Sequence, residues 1–230
     1  TGGGRADYVR FSAEGSLSRL QTDYIDLYIL HRPDPKTPIA ETLGALGELV
    51  SAGKVREIGC SDFSAAQLAE ADAAAARGGP RIVNLQSEYS LLNRKVELGT
   101  LAECARLDIG FVPYRPLAHG LLTGKYRKGA ALPEGSRIAT MPEERRGRTL
   151  DERNLKVVEA LIAFAGDHGH TILELATSWL LAHPEVSSVI GGAMSAEQIA
   201  GNAEAANWRL TPDEVAEVGE LTASYRENPA

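Results

Sequence analysis

Several features that define common protein classes are scarce or absent in this 230-residue chain. Its two cysteines, Cys60 and Cys104, lie far apart and form no CxxC or His–Cys spacing, so neither a disulfide framework nor a zinc site is predicted. No apolar run approaches the roughly 18 residues of a membrane span, and the first residues contain no apolar signal core. These absences favour a reduced, cytoplasmic protein that contacts no membrane and binds no metal.

Positive charge is too scattered for a nucleic-acid-binding surface. Lys and Arg number 24 against 31 Asp and Glu, which gives a formal net charge of −7. The longest basic cluster, Arg145, Arg146 and Arg148, follows Glu143 and Glu144 and is interpreted as a solvated loop. Because nucleic-acid binding requires a basic stripe for phosphate contacts, no nucleic-acid partner is expected.

The chain does contain alternating strand-like and helix-like patterns, with enough apolar residues (43%) for a substantial core. Short β-branched and apolar runs predict five strands, near residues 24–30, 57–60, 81–85, 109–113 and 187–190. Apolar spacing and capping residues predict helices over residues 7–20, 38–52, 64–76, 95–106, 154–165, 171–182, 195–206 and 211–224. The polar segment 118–150 is too long for an ordinary connection and is predicted to be a functional lid or a disordered loop.

Consecutive strand–helix units predict a parallel sheet covered by helices, and two architectures are open. One is an open doubly wound sheet, and the other is a (β/α)₈ barrel. A dinucleotide fold would carry a Gly-x-Gly-x-x-Gly loop after its first strand, whereas this chain reads His-Arg-Pro-Asp-Pro from His31. Five units alone are too few to close a barrel, since a complete one uses about 31 residues per unit.

Polar or aromatic residues follow the carboxyl end of each predicted strand. In chain order they are His31, Ser61 with Asp62, Gln86, Tyr114 and the segment 190–193. Barrel enzymes place their sites at this rim, so these strand ends are the candidate functional positions.

At these positions the chain resembles the aldo-keto reductase family. Five segments carry the resemblance, in the family's order and at its spacings: residues 20–31 (LQTDYIDLYILH), 53–63 (GKVREIGCSDF), 86–94 (QSEYSLLNR), 114–125 (YRPLAHGLLTGK) and 189–198 (VIGGAMSAEQ). The resemblance implies an α/β fold, the (β/α)₈ TIM barrel. It begins at the helix after the family's third strand, so about five of the eight βα units are expected here. Residues 1–230 are then a single domain that lacks its first roughly three units.

The resemblance also implies an activity, the NADPH-dependent reduction of an aldehyde or ketone. In the family, a tyrosine donates a proton to the carbonyl oxygen as hydride arrives from the nicotinamide, assisted by a lysine, an aspartate and a histidine. Only the histidine has a counterpart, His31, because the other three belong to the units expected to be missing. Tyr8 and Tyr24 are not replacements, since one falls in the first helix and the other at a strand start.

The family's residues for the nicotinamide and pyrophosphate also have counterparts. Ser61, Asp62 and Gln86 match the carboxamide contacts, although the family usually has asparagine at position 62 and an ionised aspartate only accepts hydrogen bonds. Tyr114 matches the aromatic residue that stacks on the nicotinamide ring. The loop that covers the pyrophosphate corresponds to Arg115, Pro116, Leu117, Gly120, Leu122, Gly124 and Lys125, and Lys125 is the better candidate for the phosphate cation.

By the same resemblance, the adenosine half of the cofactor is assigned to Ile190, Gly191, Gly192, Ala193, Met194, Ser195, Gln198 and Asn202. Met194 stands where the family usually has an arginine or lysine for the 2′-phosphate. The loss of that cation removes a charge-assisted hydrogen bond worth about 1.5–3 kcal/mol. We therefore expect NADP(H) as the cofactor, with a weakened preference over NAD(H).

Two functions remain open, because the catalytic tyrosine, lysine and aspartate have no counterparts in the chain. One is a reductase of a small carbonyl compound, and the other is a truncated, non-catalytic nucleotide-binding or structural homologue. Six other notable residues receive structural interpretations: His168, His170 and His183 near helix ends, and Cys60, Trp179 and Trp208 in packed positions.

Overall fold

The computed structural model describes residues 3–230, which divide into two compact units. The first unit extends to Ser87 and includes Gly99–Val112, and the second comprises Glu88–Leu98 and Pro113–Ala230. The strands of residues 3–230 are β1 (Ile25–Leu30), β2 (Val55–Ser61), β3 (Ile82–Glu88) and β4 (Gly110–Tyr114). The α-helices in the same range are α1 (Ala6–Leu20), α2 (Ile39–Ser51), α3 (Ala65–Ala75), α4 (Thr100–Leu107), α5 (Glu143–Thr149), α6 (Glu152–Asp167), α7 (Ile172–Leu181), α8 (Ala196–Glu204) and α9 (Pro212–Leu221).

The four strands form one sheet in the order β1-β2-β3-β4, and a helix lies between each strand and the next along the chain. The β1–β2 and β2–β3 pairs are parallel. This confirms the predicted α/β class, and it is consistent with a (β/α)₈ barrel.

The core of the first unit is made by α2 and the strand that follows it. Leu43, Leu46 and Leu49 recur at a spacing of three along α2 and are buried, as are Val55 and Ile58 of β2. Each such side chain contributes about 1.5–3 kcal/mol when it is fully removed from water. Helices α1 and α3 pack on α2, and α4 packs on α3.

Helix α7 is central to the second unit, where α6 and α8 pack on it. Its buried residues include Leu175, Trp179 and Leu180. Among the helices of residues 3–230, none combines the length and apolarity that crossing a bilayer requires.

Most predicted helix starts are confirmed because they depend on local capping. Ser64, Thr171 and Thr211 each accept a hydrogen bond from the third residue of the helix, whose own side chain accepts one in return. Ser195 accepts a hydrogen bond from the backbone N–H of Gln198 and begins α8 as predicted.

Three local predictions are wrong. The fifth strand is reduced to a single parallel bridge between Ile190 and Tyr114, because two glycines follow Ile190 at once. The helix predicted over 95–106 is split into a 3₁₀ segment, Lys95–Leu98, and α4, because Gly99 adopts a φ of 145°. Of the two alternatives for the segment 118–150, the disordered loop is wrong, since the segment contains a 3₁₀ segment, Ala118–Thr123, and α5, whereas the functional lid stays a prediction.

Candidate functional site

Three polar side chains come at the same level at the carboxyl ends of neighbouring strands in the first unit. Leu30 pairs with Cys60, and Ser61 pairs with Gln86. His31 follows Leu30 directly, so His31, Ser61 and Gln86 form a strand-end row across β1, β2 and β3. The backbone N–H of Asp62 donates to the carbonyl oxygen of Gln86 at 2.9 Å, which holds the last two strands together at this level.

The members of the strand-end row differ in exposure. Ser61 is buried, Gln86 is half-buried and His31 is exposed. Asp62, just beyond the row, is exposed and has a φ of 59°, a left-handed conformation that aspartate tolerates better than most residues. The row therefore offers a hydroxyl, a carboxamide and an imidazole toward one end of the sheet.

Gly59 allows the close strand approach that precedes the strand-end row. A Cβ at this position would lie 3.1 Å from the carbonyl oxygen of Asn84 and 3.2 Å from Cγ1 of Ile29. Any larger residue would push β2 away from its neighbours and shift Ser61, two residues later.

The loop after His31 is held by Asp34. Its carboxylate accepts hydrogen bonds from the backbone N–H of Gly4 at 2.8 Å, the N–H of Lys36 at 2.9 Å and the hydroxyl of Thr37 at 2.9 Å. These hydrogen bonds, that from Gly4 first, hold the pKa of Asp34 below its ordinary value. The loop after His31 is thereby held both by its own residues and by Gly4 near the start of the chain.

The second unit contains the other predicted site residues, beginning at the end of β4. Tyr114 is half-buried and forms the bridge with Ile190. Arg115 follows with a φ of 54°, and its Nη1 lies 2.7 Å from Oε2 of Glu88. Pro116 is buried. The guanidinium of Arg115 thus forms an ion pair with the carboxylate of Glu88.

The 3₁₀ segment Ala118–Thr123 turns sharply through consecutive left-handed residues. Ala118, His119 and Gly120 have φ values of 44°, 59° and 96°. Leu121 and Leu122 are buried and anchor the turn. Non-glycine residues with positive φ cost about 1–3 kcal/mol each and cluster at ligand-binding sites, so this strained turn is a candidate site on backbone grounds.

Lys125 and Gly124 complete this loop. Gly124 has a φ of 79°, and a Cβ on it would lie 3.2 Å from Cγ2 of Ile172. The Lys125 side chain is exposed, with its Nζ 5.2 Å from the ring centroid of Tyr126.

Two arginines near His119 were missed by sequence reasoning. Burial is the main cause that lowers the pKa of His119, and the charges of Arg115, Arg137 and Arg145 lower it further. Arg145 belongs to α5 and not to the predicted solvated loop, and its Nη2 lies 3.4 Å from Nε2 of His119. The one available signal was the recurrence of arginine through the polar segment 118–150.

The segment predicted to contact adenosine is exposed and held by its own side chains. Gln198 accepts a hydrogen bond from the backbone N–H of Met194 at 2.7 Å, and Asn202 donates to the carbonyl oxygen of Gly192 at 3.3 Å. A Cβ at Gly191 would approach Nδ2 of Asn202 to 3.2 Å. The Met194 side chain is 94% exposed, so a longer or charged side chain fits there.

The comparisons with known proteins agree with these motifs. The aldo/keto reductase family matches residues 1–223. The chain belongs to this family.

Its relatives in the family include proteins with different names. It is 34% identical over 226 residues to L-glyceraldehyde 3-phosphate reductase of Escherichia coli O157:H7, a match that covers 96% of the chain and 65% of the relative. It is 38% identical to a probable voltage-gated potassium channel subunit beta of Arabidopsis thaliana, over 94% of the chain and 67% of the relative. Protein tas of Escherichia coli strain K12 is 35% identical, with the same coverages. The chain thus spans about 65% of the length of the first of these relatives.

In this family member, the tyrosines and the other notable side chains lie as predicted. Tyr8 lies in α1, and Tyr24 precedes β1 beneath the guanidinium of Arg56, whose Cζ is 4.0 Å from the ring centroid. Neither tyrosine is part of the strand-end row. Cys60, Trp179 and Trp208 are buried. His168, His170 and His183 lie next to the ends of α6 and α7.

Proposed function

We propose that this aldo/keto reductase family member binds a nicotinamide dinucleotide and belongs to an enzyme that reduces an aldehyde or ketone. The observation that carries the proposal is the strand-end row, in which Ser61 and Gln86 come into register on adjacent strands. A hydroxyl and a carboxamide at this position supply the donors and acceptors that a nicotinamide carboxamide requires.

The residues of each unit have a role in this proposal. Ser61, Asp62 and Gln86 would hold the carboxamide, Tyr114 would stack on the ring, and the 3₁₀ segment Ala118–Thr123 and Lys125 would contact the pyrophosphate. The buried Nδ1 of His119 has no hydrogen-bond partner among residues 3–230, and together with the surrounding arginines it would suit an anion at this segment. Ile190–Met194, Ser195, Gln198 and Asn202 would contact adenosine. When bound, the cofactor supplies a hydride; His31 would hydrogen-bond to the carbonyl oxygen and orient it.

Domain extent and setting are part of the same proposal. Residues 1–230 would form a single domain with about five of the eight βα units of the family's barrel. The catalytic tyrosine, lysine and aspartate would then lie in units that this chain does not contain.

We also propose NADP(H) with tolerance of NAD(H), a small carbonyl substrate and a cytoplasmic location. The relative named for L-glyceraldehyde 3-phosphate supports a small aldehyde as substrate.

Binding measurements test the proposal. NADPH and NADH would be titrated against the protein and its Ser61→Ala and Gln86→Leu variants, with nucleotide fluorescence as the signal. Each variant loses a hydrogen bond worth about 0.5–1.5 kcal/mol, so the dissociation constant should rise about 3-fold to 10-fold. Glu57→Gln is the matched control, because Glu57 is exposed on β2 four residues before Ser61. Equal affinity in all four proteins would contradict the proposal.

A second function, nucleotide binding without catalysis, is favoured by one observation. Neither Tyr8 nor Tyr24 belongs to the strand-end row, so neither supplies a tyrosine proton donor beside His31. The two functions are separated by assaying carbonyl-dependent NADPH oxidation in the protein from its natural source. Oxidation that His31→Ala abolishes supports the reductase, whereas binding without oxidation supports the second function.

A further inference from the structure

His183 follows the end of α7, and both of its ring nitrogens contact hydrogen-bonding atoms of the second unit. Its Nδ1 lies 2.9 Å from the carbonyl oxygen of Trp179. Its Nε2 lies 3.1 Å from the hydroxyl oxygen of Tyr89, and that oxygen lies 2.8 Å from Oε1 of Glu97. Three contacts thus run in series from a carbonyl oxygen, through an imidazole and a phenol, to a carboxylate.

Each of these three contacts needs one proton between its two heavy atoms. The carbonyl oxygen and the carboxylate have no proton to give, whereas the phenol and a neutral imidazole have one each. Two protons cannot serve three contacts, so either neutral tautomer of His183 leaves two acceptor atoms facing each other at 3.1 Å or less. A ring protonated on both nitrogens satisfies all three, because Nδ1–H donates to Trp179, Nε2–H donates to Tyr89 and the phenol donates to Glu97.

Glu97 is not the source of the third proton. Its Oε1 accepts from Nε of Arg94 at 2.7 Å, and its Oε2 accepts from Nη2 of Arg94 at 2.8 Å and from Nε of Arg226 at 2.9 Å. Guanidinium N–H groups only donate, and they favour the charged carboxylate. The third proton therefore belongs on Nε2 of His183, which can receive it because a phenol oxygen also accepts hydrogen bonds.

The helix end and the neighbouring rings suit a cation at His183. Trp179 is among the last four residues of α7, whose free carbonyl groups and dipole favour positive charge. The centroid of the imidazole lies 4.4 Å from that of the Trp179 ring and 5.6 Å from that of the Tyr89 ring. Both distances are within the range of a cation–π interaction.

The charged groups around this cluster compensate one another. Arg94 and Arg226 both form ion pairs with Glu97, including Arg94, whose Cζ lies 5.0 Å from the centroid of the Trp179 ring. A second carboxylate, Glu185, also acts on the phenol of the series. Because these two arginines and two carboxylates cancel, a positive imidazole does not meet a surplus of positive charge.

We propose that His183 is an imidazolium, protonated on both ring nitrogens, in the folded protein at neutral pH, and that loss of this proton at alkaline pH loosens the segment after α7. The inference does not rest on the proposed function, because none of its residues belongs to the strand-end row. Deprotonation leaves two acceptors face to face, so one of the three contacts must lengthen. The carbonyl oxygen of His183 also accepts from the backbone N–H of Val186 at 3.0 Å, so the charged ring fixes the start of the segment that leads to Ile190.

Nuclear magnetic resonance of protein labelled with nitrogen-15 histidine tests the charge directly. The spectrum would be recorded at about pH 7.5, where a histidine with the ordinary pKa of about 6.5 is about 90% neutral. His183→Gln identifies the signals of His183 by their loss. We expect both ring nitrogens of His183 to show the chemical shifts of protonated nitrogens. A neutral ring, with one protonated and one unprotonated nitrogen, would overturn the proposal.

Tyr89→Phe tests the proton count. This variant removes the phenol oxygen, and the contact that remains of the three, from Nδ1 to Trp179, is satisfied by a neutral ring. The signals of His183 should therefore change to those of a neutral imidazole protonated on Nδ1. His168 and His170 pair with other carboxylates, so their signals are the matched control and should not change. An unchanged imidazolium in Tyr89→Phe would contradict the proton count on which the proposal depends.

The pH dependence of stability tests the effect on the fold. A proton that the folded chain holds and the unfolded chain releases makes stability fall as the pH rises. In urea unfolding between about pH 7 and pH 9, the unfolding equilibrium constant of the wild type should rise by up to about tenfold per pH unit. His183→Gln does not titrate at this position and should show a smaller rise. His31→Gln is the control, because His31 is exposed in the first unit, and it should keep the wild-type slope. Equal slopes in wild type and His183→Gln would overturn the proposed effect of the charge on the fold.

Discussion

Arg94 and Glu97 form a two-point ion pair inside the second unit, with Nε to Oε1 at 2.7 Å and Nη2 to Oε2 at 2.8 Å. The Arg94 side chain is 3% exposed. Its Nη1 also donates to the carbonyl oxygen of Gly219 and to the hydroxyl of Thr222. Each donor group on this buried guanidinium therefore has an acceptor, and the pair joins the segment after β3 to the end of α9.

Truncation of Arg94 should destabilise the protein strongly. Arg94→Ala removes the buried partner of Glu97, which keeps its contacts with Arg226 and with the Tyr89 hydroxyl, so the cost should lie at the lower end of the about 3–5 kcal/mol that breaking a buried pair costs. Urea unfolding measures this loss of free energy. Arg106→Ala is the control, because the Arg106–Glu103 pair has the same i,i+3 spacing with an exposed arginine, and it should cost less than about 1 kcal/mol. Equal costs for both variants would refute a structural role for the buried pair.

The same pair should make stability depend on pH. Burial raises the pKa of Glu97, but hydrogen bonds from Arg94 and Tyr89 outweigh it and hold the pKa below its ordinary value of 4.5. A carboxyl group whose pKa is lower in the folded state stabilises the protein above pH 4.5, and this contribution is lost as the pH falls through the folded-state value. Unfolding free energies between about pH 6 and pH 3 should therefore fall less steeply in Glu97→Gln than in wild type. Parallel curves would show that Glu97 is not coupled to folding.

Gly59→Ala should damage both the sheet and the nearby site. The added Cβ would meet the backbone of Asn84 and the side chain of Ile29, which forces a shift that costs about 1–3 kcal/mol. NADH affinity should fall as well, because Ser61 follows on the same strand. Thermal unfolding and the fluorescence titration check the two effects. The control is Gly44→Ala, because Gly44 is an exposed position of α2 with open space around its Cβ. This variant should stabilise the protein by about 0.5–1 kcal/mol, and similar behaviour of both variants would contradict the close-approach explanation.

Met194→Arg should increase the preference for NADPH. The exposed position has room for the longer side chain, and its backbone N–H would remain bonded to Gln198. A new charge-assisted hydrogen bond to the 2′-phosphate is worth about 1.5–3 kcal/mol, or about a tenfold to hundredfold gain in NADPH affinity. Dissociation constants for NADPH and NADH in both proteins give the ratio, and Met194→Gln controls for side-chain length without charge. An unchanged ratio in Met194→Arg would show that position 194 does not influence the preference between NADPH and NADH.

The sequence by itself determined the features that depend on residues close to one another along the chain. Helix starts at Ser64, Thr171 and Thr211 followed from side chains that bond within one turn, and they were predicted for that reason. The parallel sheet followed from the alternation of apolar patterns. Family membership followed from five ordered motifs, which also carried the candidate residues of the strand-end row.

Only the tertiary structure decided the features that join distant segments. Arg94 and Gly219 are 125 residues apart in sequence, and no local pattern indicates that they meet. Ile190 forms a single bridge, with Tyr114 at the end of β4, although its β-branched side chain favours a strand. The end of β4 and the two glycines after Ile190 limit the pairing to this one residue. The contact between Arg145 and His119 depends on how the segment 118–150 folds back on itself, because the two residues are 26 positions apart in the sequence. Charge, burial and hydrogen bonding between distant residues are properties of the packed chain, so they emerge only when the segments meet.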